Sequence, residues 1–254
     1  MQLIKPVDWV SETQFFVDGL EFSGDLGSYS EKTTRDRVVI LKNSSLIKQY
    51  LEFFGPHSTG NIFELGIWQG GSPLFYGLAT DARKVVALDL DNSPPSALDE
   101  ILRRHRIDDK VKLYFGTSQD DREAVTGIID REFGDEPLDL VIDDASHQYG
   151  YSRRSFEIIF PRLRPGGWYI IEDWQWAHID SPAYQDGGHF AGEPALTNLI
   201  FELLIAYGGH ADLFQNFVVR SWFVALQKAW RPIPRDDFRL GDLQRMRGKS
   251  LTLI

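Results

Sequence analysis

Cysteine is absent from this 254-residue sequence. Disulfides, thiolate metal sites and cysteine nucleophiles are excluded, and a cytoplasmic setting is expected. No apolar run approaches the ~20 residues that span a bilayer, so no membrane span is expected. The first residues, MQLIKPVDWVSETQFF, lack a basic segment leading into an apolar one, so no secretory signal is expected. Positive charge is scarce too: 27 Lys and Arg stand against 37 Asp and Glu, a net charge of -10. A broad polyanion-binding face needs clustered cations, so nucleic acid is not an expected partner. Repeats, low-complexity tracts and long linkers are missing. So is the dinucleotide fingerprint G-x-G-x-x-G.

What is present is an alternation. Residues 1–60 read as an N-terminal extension of helix and loop. Within it GDLGSYSEKTTRDR is a loop or short helix, and NSSLIKQYLEFFG is a helix capped by Asn43 or Ser44 and stopped at Gly55-Pro56. Residues 61–254 read as one domain. Strand-like NIFELG, KVVALDLD, KVKLYFG, LDLVIDD and GWYIIED alternate with helical stretches near Ser72, SALDEILRRHR, DREAVTGIIDREF and YSRRSFEIIFPRL. Such alternation predicts parallel strands joined by right-handed crossovers. After residue 174 the pattern changes to a polar, Gly-rich loop, then helical ALTNLIFELLIAYGG, then LFQNFVVRSWFVALQKAW, which reads as an antiparallel edge pair. The expected fold class is α/β: a doubly wound, mostly parallel, seven-stranded Rossmann-like sheet with an antiparallel terminal strand. A homo-oligomer is expected; Trp9, Phe15 and Phe16 suit an interface and equally a core.

In open α/β sheets ligands bind beyond the carboxyl ends of the strands. Here all five parallel strands carry acids there: Glu64, Asp89, Asp120 in Ser118-Gln119-Asp120, Asp143-Asp144 and Glu172-Asp173. One such acid is commonly a helix cap. Five together weaken that reading. In the first crossing, FELGIWQGGS, Glu64 precedes Gly66, Gly70 and Ser72. A pyrophosphate on the helix N-terminus would be repelled by Glu64. A ligand with an ammonium tail and a cationic sulfur would not, which points to S-adenosylmethionine. Asp89 is placed to accept its ribose hydroxyls, and Ser118, Gln119 and Asp120 to reach its adenine. An ordinary tight turn remains the competing account of the glycines.

The stretches DLVIDDASHQYGY and GWYIIEDWQWAH each end an apolar run in two carboxylates. If the sheet reverses after its first strand, those ends lie about 5 Å apart. Successive strand residues face opposite ways, so one acid of each pair points inward unless the chain turns. Crowded carboxylates raise one another's pKa, and a hard dication removes the conflict. With no cysteine the expected ion is Mg²⁺, with Mn²⁺ or Ca²⁺ as alternatives. His147, three residues past Asp144 and one turn on if that segment is helical, could take a proton from an ion-bound hydroxyl, with Asp144 as the rival base. Residues 175–195 are long for a connection and read as a substrate lid. Trp174, Trp176, Tyr184 and Phe190 give it an apolar face; His178 and His189 are pocket residues or solvated ones.

The motifs FELGIWQGGS, VVALDLD, GTSQDD, LVIDDASH and GWYIIEDWQ resemble those of metal-dependent class I methyltransferases acting on natural-product sugars. The likeness, from residue 33 to 175, is to mycinamicin-type macrolide sugar O-methyltransferases. Rhamnosyl O-methyltransferases and cephalosporin-hydroxylase-like proteins share it. The resemblance implies Asp144, Glu172 and Asp173 as Mg²⁺ ligands, His147 as general base, and Glu64 and Asp89 as cofactor residues; Asp143, beside Asp144, is a further cofactor-binding candidate. It implies a glycosylated small-molecule acceptor. Two departures stand out: the macrolide enzyme has a sizeable N-terminal auxiliary domain where this chain has residues 1–60, and tylosin-type relatives carry Asp-Asp in place of Glu-Asp. A catechol-like diol acceptor, an NAD-dependent oxidoreductase and a non-catalytic binding module are the rival readings.

Overall fold

The computed structural model describes residues 2–24, 28–55, 59–185 and 187–254. It divides into two compact units, Met1–Thr117 and Ser118–Ile254.

The first unit opens with a four-stranded sheet where helix and loop were expected. Strands β1 (Asp8–Trp9), β2 (Gln14–Val17), β3 (Leu20–Ser23) and β4 (Arg37–Val39) lie in that order, antiparallel except for the parallel pair β3–β4. Their alternation is short and real: Phe15 and Val17 are buried, while Gln14 and Phe16 are half-exposed. Phe15 and Phe22 stack with ring centroids 5.1 Å apart, and Phe75 meets Phe15 edge-on at 5.7 Å. Phe15 is therefore a core residue, not an interface one. Burying one such ring is worth about 2 kcal/mol, enough to override weak strand propensity. Helix α1 (Ser44–Phe54) follows, its N-cap Asn43 accepting a hydrogen bond from Leu46 N as expected. The expected stop at Pro56 and residues 25–27 of the predicted loop lie outside the described residues.

The alternation then runs as read: β5 (Asn61–Leu65), α2 (Gly71–Ala79), β6 (Lys84–Leu88), α3 (Leu98–Arg104) and β7 (Val111–Tyr114), with β5–β6 and β6–β7 parallel. β5 is buried at every position, as a strand covered on both faces must be.

The second unit contains α4 (Arg122–Phe133), β8 (Leu138–Asp143), α5 (Tyr149–Ile159), β9 (Leu163–Glu172), the short α6 (Pro182–Gln185), α7 (Thr197–Gly209), β10 (Phe214–Val219) and β11 (Phe223–Lys228). β8 and β9 are parallel, β11 is antiparallel to β9, and β10 to β11. The antiparallel pair is thus not wholly an edge: β10 lies at the border and β11 inside it. The seven-stranded order is β10-β11-β9-β8-β5-β6-β7, which is the expected doubly wound class. Among the described residues no helix is long and apolar enough to cross a membrane.

Candidate active site

In the first unit the glycine loop is shaped by its own packing. Gly66 and Gly70 have φ of 99° and 88°, the left-handed region that favours glycine. A Cβ on Gly71 would lie 2.5 Å from Ile40 Cβ and 2.6 Å from Val39 O, so this glycine lets α2 start against β4. Asp89 Oδ2 accepts from Ile67 N and Trp68 N, both at 2.8 Å, and Oδ1 accepts from Asp91 N at 2.8 Å. The acid expected to hold a ribose thus first clamps the loop. A carboxylate has about four acceptor positions, so one on Oδ1 is left over. Glu64 is fully buried within β5, and Ser72 is buried in the first turn of α2.

In the second unit β8 ends at Asp143, and the next residues, 144–148, do not form a helical turn. His147 instead takes φ 54°, and Asp173, just past β9, takes φ 55°. Non-glycine residues in that region are uncommon, with Asp, Asn and His the usual exceptions, and they gather at functional sites. Asp173 is pinned there: its N–H donates to Trp222 O at 2.9 Å, beside β11. The result is convergence. One ligand atom from each of Asp144, His147 and Asp173 lies within 4.8 Å of the others. Their neighbours Asp143 and Glu172 are each only 2% exposed. One acid of each pair is presented and the other is buried, as alternation predicts. Glu172, also expected as a ligand, is not in the converging group.

The donor set fits a hard dication. Two half-buried carboxylates bring negative charge to one point and leave room for water or substrate oxygens, the arrangement Mg²⁺ favours. His147 Nε2, 3.9 Å from Asp144 Oδ1, adds a nitrogen that Mn²⁺ would accept more readily than Mg²⁺.

A buried polar network holds this loop. Gln119 Nε2 donates to Asp143 Oδ1 at 3.1 Å and to Ser155 Oγ at 2.8 Å, while its Oε1 accepts from Ser146 N at 3.0 Å. Both ends of the Gln119 amide are used here, although the sequence pointed it at adenine. Tyr169 hydroxyl donates to Asp143 at 3.4 Å. Burial pushes Asp143 up to about 7, the negative charge of Asp144 adds to it, and hydrogen bonds from Ser152, Gln119 and Tyr169 oppose it. Ser118 Oγ donates to Asp120 Oδ1 at 2.6 Å, and Arg154 donates to Asp120 Oδ2 at 3.1 Å.

Above the converging group lies a cavity of about 180 Å³ lined by His147, Asp173, Trp174, Trp176, Tyr184 and Phe190, with Ile254 at its wall. All four aromatics expected on the lid are there. The Trp176 ring sits 4.3 Å from that of His147 and 4.9 Å from Tyr184. The 175–195 segment is tied to the loop after β8: Gln148 Nε2 donates to His189 O at 2.7 Å, and His189 Nε2 lies 3.0 Å from Ser146 O. His178 instead pairs with Thr197 Oγ1. The tie from Gln148 to His189 and the strut from Gln119 to Ser146 were not visible in the sequence, since each joins residues at least 27 positions apart.

Fold and family-model match point to one class, the methyltransferases. Residues 63–174 match the family model described as a methyltransferase domain, and the doubly wound sheet is that of Rossmann-like methyltransferases. Within the class, the resemblance read from the motifs holds. The chain is similar to mycinamicin VI 2''-O-methyltransferase of Micromonospora griseorubida, 31% identical over 141 residues, covering 49% of this chain and 32% of that one. It is also similar to demethylmacrocin O-methyltransferase of Streptomyces fradiae, 31% identical over 119 residues, covering 44% and 27%. The chain thus spans no more than about a third of these relatives' length. Among solved structures it is similar to the methyltransferase MycE of the mycinamycin pathway in complex with Mg, SAH and mycinamycin VI. That likeness has a TM-score of 0.53 at 22% identity and covers 72% of this chain and 49% of the other.

Proposed function

We propose that this chain is an S-adenosylmethionine- and Mg²⁺-dependent O-methyltransferase acting on a sugar hydroxyl of a glycosylated natural product or glycolipid. The observation that carries the reading is the convergence of Asp144, Asp173 and His147, the last two of which line an aromatic-walled cavity. The similarity to sugar O-methyltransferases supports it.

In this reading Asp144 and Asp173 hold the ion, with Glu172 as the third candidate ligand. Glu64, Gly66, Gly70, Ser72 and Asp89, with Ser118, Gln119, Asp120 and Asp143, are the candidate cofactor residues. Bound ion and cofactor supply, respectively, acidification of an acceptor hydroxyl and the methyl group. His147 takes the hydroxyl proton at Nε2, the nitrogen facing Asp144. Asp144 holds the resulting imidazolium by charge. Trp176 packs against the imidazole and offers a flat face on which a sugar ring stacks. The lid, held by Gln148 and His189, excludes water and orients the acceptor. The cysteine-free composition suits a cytoplasmic enzyme, and a homo-oligomer with no nucleic-acid partner belongs to the same reading.

The test is a methyl-transfer screen with labelled cofactor against glycosylated macrolides, rhamnosylated aglycones and catechol, with Mg²⁺ or with EDTA. Mg²⁺-dependent labelling of a glycoside is expected. Labelling of catechol alone would move the acceptor to aromatic diols, and full labelling in EDTA would remove the metal role.

A further inference from the structure

A second cavity in the same unit, of about 310 Å³, is lined by Asp120, Arg122, Arg154, Glu157, Ile158 and Arg239. None of these six lines the aromatic cavity. Three arginines in one hollow are unexpected in a chain of net charge -10. Their charges are only partly balanced. Arg154 is paired with Asp120 at 3.1 Å. Glu157 is already engaged by Arg153 at 3.0 Å and by Leu240 N at 2.8 Å. Among the described residues Arg239 donates only to the neighbouring Phe238 carbonyl, and Arg122 Nη1 is buried with no hydrogen-bond partner. Among the described residues, neither Arg122 nor Arg239 makes an ion pair.

Two physical arguments point the same way. A buried guanidinium nitrogen left without an acceptor is costly, and native proteins retain few such groups without cause. Arg122 is also the first residue of α4, where the helix dipole is already positive and a cation is disfavoured. An anion in the hollow relieves both. The two guanidinium charges left unbalanced match a dianion better than a single carboxylate. Guanidinium forks bind phosphate oxygens in pairs. The volume equals that of about ten water molecules, more than the four oxygens of phosphate need, and Ile158 supplies an apolar wall.

We propose that this cavity binds a small phosphomonoester, its phosphate held by Arg122 and Arg239 and its organic part lying toward Ile158. Asp120, a candidate cofactor residue, borders this hollow, but Arg122 and Arg239 have no part in the proposed methyl transfer, and phosphate binding does not depend on it.

Calorimetric titration at matched ionic strength tests the proposal, with glucose 6-phosphate, inorganic phosphate, acetate and glucose as probes. Glucose 6-phosphate should bind most tightly, inorganic phosphate next, and glucose not at all. Arg122→Gln and Arg239→Gln should each weaken the ester at least tenfold, while the far-ultraviolet spectrum and Mg²⁺ binding stay as in the parent. The two substitutions lie on different segments, so either folded variant carries the test. No heat with either phosphate, acetate binding as tightly as phosphate, or undiminished ester binding in the folded variants would overturn it.

Discussion

His147 Nε2 lies 3.9 Å from Asp144 Oδ1, and the three-residue spacing that brings them together is not helical. The left-handed backbone of His147 turns the imidazole back toward the carboxylate, and Trp176 packs on it from the lid. This geometry suits a proton acceptor beside a charged partner.

If His147 is the base and not a ligand, His147→Ala should lower turnover by about 10²- to 10⁴-fold. Metal affinity should change little. Parallel calorimetry and single-turnover assays separate the two roles, and loss of the ion together with activity would make His147 a ligand.

Gln119 ties Asp143, Ser155 and Ser146 together through one side chain. Gln119→Ala removes one of the donors to a buried acid and leaves the Ser146 N–H without its acceptor. A loss of roughly 1–3 kcal/mol is expected in urea unfolding. An unchanged midpoint would mean that water replaces the strut.

Asp143 gives the metal-free protein a pH signature. Its carboxyl is raised from 3.8 to about 7 by burial, so between those values the folded state keeps a proton that the unfolded state has lost. Stability contributed by this group is therefore full below the lower value and falls as pH rises to about 7, by at most about 1.4 kcal/mol per pH unit. In EDTA, Asp143→Asn should flatten the curve relative to the parent across this window. Identical slopes in the two proteins would contradict the buried-acid account.

Much of this was legible in the sequence because it is local. The strands β5, β6, β8 and β9 are largely apolar runs with an acid at or beside their ends, and Asn43 caps α1 by a contact three residues long. The presentation of Asp144 and Asp173 follows from strand alternation. What was not legible depends on distant partners. β1 to β4 are too short to declare a period, and the Phe15–Phe22–Phe75 cluster that packs them joins residues far apart in the chain. Gln119 looked like a ligand residue because its position after a strand is all the sequence shows. The partners that consume its amide come 24 to 36 residues later.

Trp176 both packs against His147 and walls the cavity. Trp176→Ala should raise the acceptor KM and also lower kcat, because it frees the imidazole as well as removing the stacking face. Trp174→Ala should act on KM alone, since Trp174 lines the cavity, is tied to Arg220 O at 3.0 Å and has its ring against His178 instead of His147. Steady-state kinetics on a glycoside acceptor would show the split, and equal kcat in the two variants would contradict it.

The proposed chemistry rests on a dication held by Asp144 and Asp173. The direct measurement is Mn²⁺ binding followed by electron paramagnetic resonance, with Mg²⁺ as competitor. Asp144→Asn and Asp173→Asn are the informative variants, because asparagine tolerates the left-handed backbone at residue 173. One competable ion per chain, lost in both variants, is the predicted result. No ion in the parent protein, or equal binding in all three proteins, would contradict the account.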